Sequence, residues 1–302
     1  MRRTLLLAVL IALLAAPAFL SPWAISKLSF VAIYVVAGAG LMLLAGYAGQ
    51  LSLCHAAFVG IGAYAEALLH AQGWPVWLSL PCAAALAASA GVLAAWPVRR
   101  LAGIYLAIAT LSFGFVVQEI FVRWESVTGG NAGRVVAPLD PLMIYGLSVA
   151  MALGALWLLG RLVSARFGRA LICLREDATA AAALGVDAAQ IKTLAFALAA
   201  ALGGLAGALY AHQIRFVSPE QFDWVMSIEL LMMLVIGGLG TRAGVVLGAL
   251  FLIALPQAIA WLRDALGWAT PPAGIELFAF GLALVLTLRY QPAGLAGWLR
   301  SL

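Results

Sequence analysis

Long apolar runs separated by short polar stretches dominate this chain. Ten of them approach or reach the roughly 20 residues that cross a bilayer as an α-helix. They cover residues 4–20, 28–46, 51–71, 80–98, 101–121, 142–160, 193–211, 225–240, 243–262 and 275–290. The period-two alternation of a transmembrane β-barrel is missing. The pattern therefore predicts an all-α, polytopic helical bundle with about ten transmembrane helices, some of them broken or rich in glycine.

Composition supports the same class. The chain has 302 residues, of which 65% are hydrophobic and only 10% are charged, whereas a soluble protein carries roughly a quarter charged residues. A globule this apolar would lack a water-facing surface. No linker or soluble domain is evident, so we expect residues 1–302 to form a single transmembrane domain.

The positions of the basic residues predict the orientation. With the N-terminus placed inside, twelve of the 17 Lys and Arg residues fall in inner segments. Cytoplasmic loops are enriched in Lys and Arg, so both termini are expected in the cytoplasm. The first run also fits a cleavable signal peptide, with a basic start and Ala16-Pro17-Ala18. Cleavage would leave nine helices in the same orientation.

The stretch "GYAGQLSLCHAAFVGIGAYAEA", residues 46–67, is unusually polar and broken for a membrane segment. Non-helical backbone at membrane depth must be buried in protein or line a wet cavity. One interpretation is a broken helix in which Gly49, Gln50, Ser52 and His55 line a substrate pathway. The other is a tight turn whose polar side chains bond to neighbouring helices.

Glycines with a spacing of four predict close helix packing. Gly240, Gly244 and Gly248 are expected to share one helical face, and Gly203 and Gly207 another. Such faces let helices approach closely in a bilayer. They also permit sliding between helices, which a gating protein needs.

Motifs of catalysis and metal binding are missing from the sequence. It contains no G-x-x-x-x-G-K-[ST] loop, no H-E-x-x-H and no G-x-S-x-G. The three cysteines have no metal-ligand spacing. Glu66 is interpreted as an interfacial residue near the outer end of its span. We therefore expect no enzyme activity, no metal site and no nucleotide site.

The segment about 161–192 is the most informative part outside the apolar runs. Ala178 to Leu184 is predicted to be helical, and Gly185 is placed to end that helix. A short helix at the inner surface is either a simple connector or a docking element for a cytoplasmic partner.

Three stretches together resemble a known family. They are "GYAGQLSLCHAAFVGIGAYAEALL", "GRALICLREDATAAAALGVDAAQIKTLAFALAAALGGLAGALYA" and "SPEQFDWVMSIELLMMLVIGGLGTRAGVVLGAL". In order and spacing they are similar to the permease subunits of branched-chain amino acid ABC importers, the LivM type. The resemblance covers roughly residues 28–290. Gly49, Gln50, Ser52 and His55 match its G-Q-x-S-x-G-H signature, but Cys54 stands where the family usually has glycine.

The resemblance implies a multi-pass protein of the bacterial inner membrane that imports branched-chain or related hydrophobic amino acids. It implies a second homologous permease, two cytoplasmic ATPases and a periplasmic binding protein as partners. ATP would be used by those partners, with no cofactor bound by this chain and no nucleic acid involved. It assigns ATPase coupling to Arg169, Arg175, Glu176, Asp177 and Gly185.

Two alternatives remain at this level. Permeases for urea and short amides look similar to the same motifs. An ion-driven secondary transporter would belong to a different class, and it would need a buried acidic relay within its spans.

Overall fold

The computed structural model describes residues 17, 19–99, 101–266 and 274–301 of the chain. The first half contains helices α1 Pro22–Met42, α2 His55–Ala71, α3 Val76–Val98, α4 Gly103–Arg123, α5 Glu125–Thr128 and α6 Pro141–Ser164. The second half contains helices α7 Arg166–Glu176, α8 Ala178–Ala183, α9 Ala188–Ile214, α10 Trp224–Gly237, α11 Arg242–Leu266, α12 Ile275–Tyr290 and α13 Gly294–Ser301. Two short strands, β1 Arg134–Val135 and β2 Phe216–Val217, pair antiparallel.

The helices confirm an all-α polytopic membrane protein. Within the described residues, the helices long and apolar enough to cross a membrane are Pro22–Tyr47, Val76–Val98, Gly103–Arg123, Pro141–Ser164, Ala188–Ile214, Arg242–Ala265 and Ile275–Trp298. Helix α10 is apolar but shorter. Every predicted run from 28–46 onward overlaps a helix. The predicted first run, residues 4–20, lies outside the described residues apart from its last few positions.

Aspartates define where several helices begin. The side chains of Asp140, Asp177, Asp187 and Asp223 each accept hydrogen bonds from backbone N–H groups in the first turn of α6, α8, α9 and α10. The first N–H groups of a helix have no intrahelical partner, so a carboxylate at this position satisfies them. Four of the few charged residues in the chain therefore set helix boundaries.

Helix α9 lies at the centre of the bundle and packs against α1, α2 and α3. Glycine makes these approaches possible. A β-carbon added at Gly207 would overlap the carbonyl oxygen of Val59, and one added at Gly62 would overlap the backbone of Gly204. A β-carbon at Gly91 would lie 2.7 Å from the carbonyl oxygen of Phe196. The backbones of α2, α3 and α9 therefore touch with no side chain between them.

A second close contact joins α10 and α11. β-Carbons at Gly244 and Gly248 would overlap the carbonyl oxygens of Gly238 and Met233. The expectation that Gly240 shares this helical face is wrong. Gly240 lies in the turn before α11 with a φ of +77°. Residues 238–241 form the turn between α10 and α11. Gly238 and Gly240 both have positive φ angles there, which glycine adopts readily.

We predict that Gly207→Ala will destabilise the protein because its new methyl group overlaps the Val59 carbonyl. Overpacking of this kind costs about 1–3 kcal/mol. The measurement is thermal unfolding of the purified chain in mild detergent.

Gly154→Ala is the matched control, since Gly154 lies in α6 with nothing within 4 Å of an added β-carbon. It should leave the unfolding temperature unchanged or slightly raised, because alanine favours a helix over glycine. Equal unfolding temperatures for the two variants would contradict the central role of the α2–α9 contact.

Candidate functional site

The break between α1 and α2 forms the first part of the candidate site. Helix α1 ends in a π-turn at Leu43–Tyr47, and the chain runs without helix through residues 48–54 before α2 begins at His55. Gly49 has a φ of +64°, which residues with a side chain rarely adopt. The predicted stretch of non-helical backbone is therefore present, as both interpretations of residues 46–67 require.

Side chains from other helices satisfy the backbone at this break. The N–H of Leu53 donates to Thr110 Oγ1 of α4 at 3.1 Å. The N–H of Ala56 donates to Ser227 Oγ of α10 at 3.0 Å. In an apolar surrounding each such N–H would be costly without an acceptor. Two hydroxyl groups from distant parts of the chain thus hold the break in its shape.

The predicted pathway side chains lie inside the bundle. Gln50 is 6% exposed, whereas Ser52 and His55 are completely buried. His55 Nε2 lies 3.0 Å from the carbonyl oxygen of Ala37 in α1. Ser52 Oγ lies 3.4 Å from the sulfur of Cys54. These contacts agree with the second interpretation of this stretch, a tight turn whose polar side chains bond to neighbouring groups.

Two polar atoms at the break have no such contact. Gln50 Oε1 and His55 Nδ1 are buried and have no hydrogen-bond partner among the described residues. A polar ligand that reached the break would find an acceptor in the Gln50 amide and a second polar group in the His55 ring.

Helix α8 confirms the local prediction made for the segment 161–192. Asp177 Oδ1 accepts from the N–H of Thr179 at 2.7 Å and of Ala180 at 3.0 Å. The backbone N–H of Ala180, followed by that of Thr179, holds the pKa of Asp177 below its ordinary value. Gly185 follows the helix with a φ of +80° and ends it, as expected.

Arg175 connects this segment to the break. Its Nη1 donates to the carbonyl oxygen of Gly46 at 2.7 Å. A β-carbon at Gly49 would lie 2.8 Å from Arg175 Cγ. The structure therefore brings a residue predicted for coupling against the segment predicted for the pathway. Arg169 instead donates locally to the Ser164 carbonyl, and Glu176 is exposed.

The sequence patterns did not identify a third group of polar residues, in which Glu66 contacts Ser79 of α3 and His212 of α9. Glu66 lies near the C-terminal end of α2, as predicted, but its side chain is completely buried among other helices. Glu66 Oε1 accepts from Ser79 Oγ at 2.6 Å and lies 2.8 Å from His212 Nε2. The ring centroids of His70 and His212 are 4.8 Å apart. The spacing of Glu66 and His70, four residues apart on one helix face, was the available signal.

A cleft of about 410 Å³ lies at the Pro22 end of α1. Its lining includes Ser26, Asp140, Gln213 and Arg215. Gln213 Nε2 donates to Ser26 Oγ at 2.8 Å across it. Gln50, Ser52 and His55 do not line this cleft, so it is distinct from the break.

Comparison with known proteins gives one consistent family. A family model described as "Branched-chain amino acid transport system / permease component" matches residues 24–288. The chain is similar to the high-affinity branched-chain amino acid transport system permease protein LivM of Escherichia coli K12, with 32% identity over 97% of this chain and 75% of the relative. The protein of the same name in Salmonella typhimurium LT2 gives the same values.

A more distant similarity has a different substrate in its name. The autoinducer 2 import system permease protein LsrC of Escherichia coli O157:H7 is 29% identical over 67% of this chain and 62% of its own length. No solved structure matches the chain.

We predict that Thr110→Val will destabilise the break, because it removes the acceptor of the Leu53 N–H. A buried donor left unpaired costs about 1–3 kcal/mol. Thermal unfolding in detergent measures the effect. Thr110→Ser keeps the hydroxyl and is the control. If the valine variant is as stable as the serine variant, Thr110 does not hold the break.

Proposed function

Because the chain belongs to the family of permease components of branched-chain amino acid transport systems, we propose that it is the membrane permease subunit of an ABC importer. Its cargo would be branched-chain or related hydrophobic amino acids, carried into the cytoplasm. The observation that carries the proposal is the similarity to the LivM permease over 97% of the chain. That similarity includes the break, the segment 161–192 and the α10–α11 turn.

Partner subunits would supply the energy. The sequence lacks a nucleotide-binding loop of its own, so two cytoplasmic ATPases would hydrolyse ATP on its behalf. A second homologous permease would complete the transmembrane part, and a periplasmic binding protein would deliver the substrate. The permease itself would be a transport subunit and no enzyme.

The membrane arrangement follows the charge distribution. Residues 1–302 would form one transmembrane domain in the bacterial inner membrane with about ten helices, or nine if the first is cleaved. Both termini and the segment 161–192 would be cytoplasmic. Arg175 and Gly185 would then lie on the side where the ATPases bind.

Coupling would run through α7 and α8 to the break. Glu176 is exposed on the segment, while Asp177 keeps α8 folded by capping it. A force on this segment would act on the Gly46 carbonyl through Arg175. The Arg175 contact thus supports a direct route from ATPase docking to Gly49, Gln50, Ser52 and His55.

The alternatives are less well supported. The similarity to the autoinducer 2 permease covers less of the chain at lower identity. An ion-driven carrier would need a relay of buried acidic groups within its spans, whereas the described residues contain one fully buried acidic side chain, Glu66. Urea and short amides remain the substrates to compare with amino acids.

We predict that mild-detergent extraction from the native membrane will recover this chain with two ATPases and a second permease. In proteoliposomes with the binding protein, that complex should take up radiolabelled leucine only when ATP reaches the ATPases. Uptake of urea in place of leucine would reassign the substrate. Uptake driven by an ion gradient without ATPases would overturn the importer proposal.

We predict that Arg175→Ala will uncouple the transporter. Loss of a hydrogen bond from a charged donor, worth about 1.5–3 kcal/mol, should lower substrate-stimulated ATPase activity by about tenfold or more. Assembly with the partners should persist, because the Arg175 guanidinium contacts the Gly46 carbonyl of this same chain.

Arg166→Ala is the matched control, since Arg166 is an exposed arginine at the start of the same helix. It should retain stimulation. If both variants behave alike, the Arg175–Gly46 contact has no part in coupling.

A further inference from the structure

Three side chains with metal-binding atoms meet where α2 and α9 approach their C-terminal ends. Glu66 and His70 lie on one face of α2, and His212 faces them from α9. One ligand atom from each can be chosen so that all three lie within 4.8 Å of one another. His70 and His212 account for two of the three histidines in the chain.

Each of the three side chains also has a buried polar atom that lacks a hydrogen-bond partner among the described residues. These atoms are Glu66 Oε2, His70 Nδ1 and His212 Nδ1. Glu66 and His212 are 0% and 1% exposed. Burying unpaired polar atoms is costly, and the three side chains that carry them meet at one place.

A simple ion pair leaves this cost in place. Protonated His212 would neutralise Glu66 through the 2.8 Å contact, but it would leave Glu66 Oε2 and His70 Nδ1 unpaired. A cation bound by all three side chains would neutralise the carboxylate and also satisfy the imidazoles. Two imidazoles and one carboxylate form a ligand set typical of Zn²⁺, with a fourth position left for water.

We propose that Glu66, His70 and His212 bind a divalent transition-metal ion, Zn²⁺ by the chemistry of the ligands, which joins α2 to α9. Ligand atoms around tetrahedral Zn²⁺ stand roughly 3.3 Å apart, so the side chains must move together from separations of up to 4.8 Å to bind the ion. His70 is only partly buried. Ser79 donates to Glu66 Oε1 and orients the carboxylate, as outer hydrogen bonds do in metal sites.

The site lies far from the break. Along the axis of α2, His70 is roughly 22 Å from His55, at 1.5 Å per residue. Exposed residues 71–74 follow at the end of the helix and provide a route for an ion from water. The ion would therefore fasten α2 to α9 at the end opposite the Arg175 contact.

The test is metal binding by the full chain, purified with its partner subunits through a tag without histidines. After removal of metals with a chelator, Zn²⁺ alone is titrated calorimetrically and bound metal is counted by mass spectrometry. We expect one ion per chain with a raised unfolding temperature, since a ligand that binds the folded state stabilises it. Co²⁺ should give the visible absorption of a tetrahedral site.

His70→Gln is the decisive variant because it removes one ligand and leaves the Ser79–Glu66–His212 hydrogen bonds intact. It should bind Zn²⁺ at least about 100-fold more weakly, the upper range seen when only an outer partner of a ligand is lost. Its unfolding temperature should no longer respond to the metal.

Cys173→Ser controls for binding by thiols elsewhere, since Cys173 lies in α7, and it should bind like the unmodified chain. Unchanged affinity in His70→Gln would mean an adventitious ion only. No binding by the unmodified chain would leave the cluster as a hydrogen-bonded ion pair and overturn the proposal. Neither result bears on leucine uptake, so the importer proposal is tested separately.

Discussion

The close approach of α2 to α9 is the contact on which the rest of the structure depends. Lipid is as apolar as leucine, so helices in a bilayer associate through van der Waals packing and hydrogen bonds. Gly207 against Val59, and Gly62 against Gly204, allow the two backbones to touch. The same contact sets His55 beside Gly203, at 3.3 Å from an added β-carbon, and brings His212 to Glu66. Both groups of buried polar residues are therefore positioned by the glycines between them.

Three of the scarce polar and charged side chains hold the backbone of the break. The hydroxyl groups of Thr110 and Ser227 accept hydrogen bonds from backbone N–H groups that have no helical partner at the break. Arg175 donates to the Gly46 carbonyl. A break held by α4, α10 and α7 together cannot change shape unless at least one of these helices moves. Such a link between helix movement and the shape of the break is what a transporter needs if a change at one surface is to alter its interior.

Much of the local structure was predictable from the sequence, and most of the contacts between distant residues were not. Hydropathy reflects the length and apolarity of a helix, so the predicted runs overlap the helices. The end of α8 was predictable because Gly185 can adopt the positive φ angle that follows a helix. The pairing of Glu66 with His212 joins residues 146 positions apart, and Arg175 reaches Gly46 across 129. Nothing in a hydropathy pattern specifies such partners. Gly240 was misplaced for a related reason, because a spacing of four is meaningful only where the helix continues.

Helix α2 connects the two polar groups as one rigid element. Its start carries His55, which is bonded to α1, and its far end carries Glu66, which is bonded to α9. A smooth glycine surface resists separation of α2 from α9, since the packing is lost, but it offers few side-chain ridges against sliding. Restraint along the axis must then come from directional bonds, and the Glu66–His212 contact is placed to provide it. Any displacement of the break that carries α2 along α9 therefore has to reorganise the buried carboxylate at the opposite end.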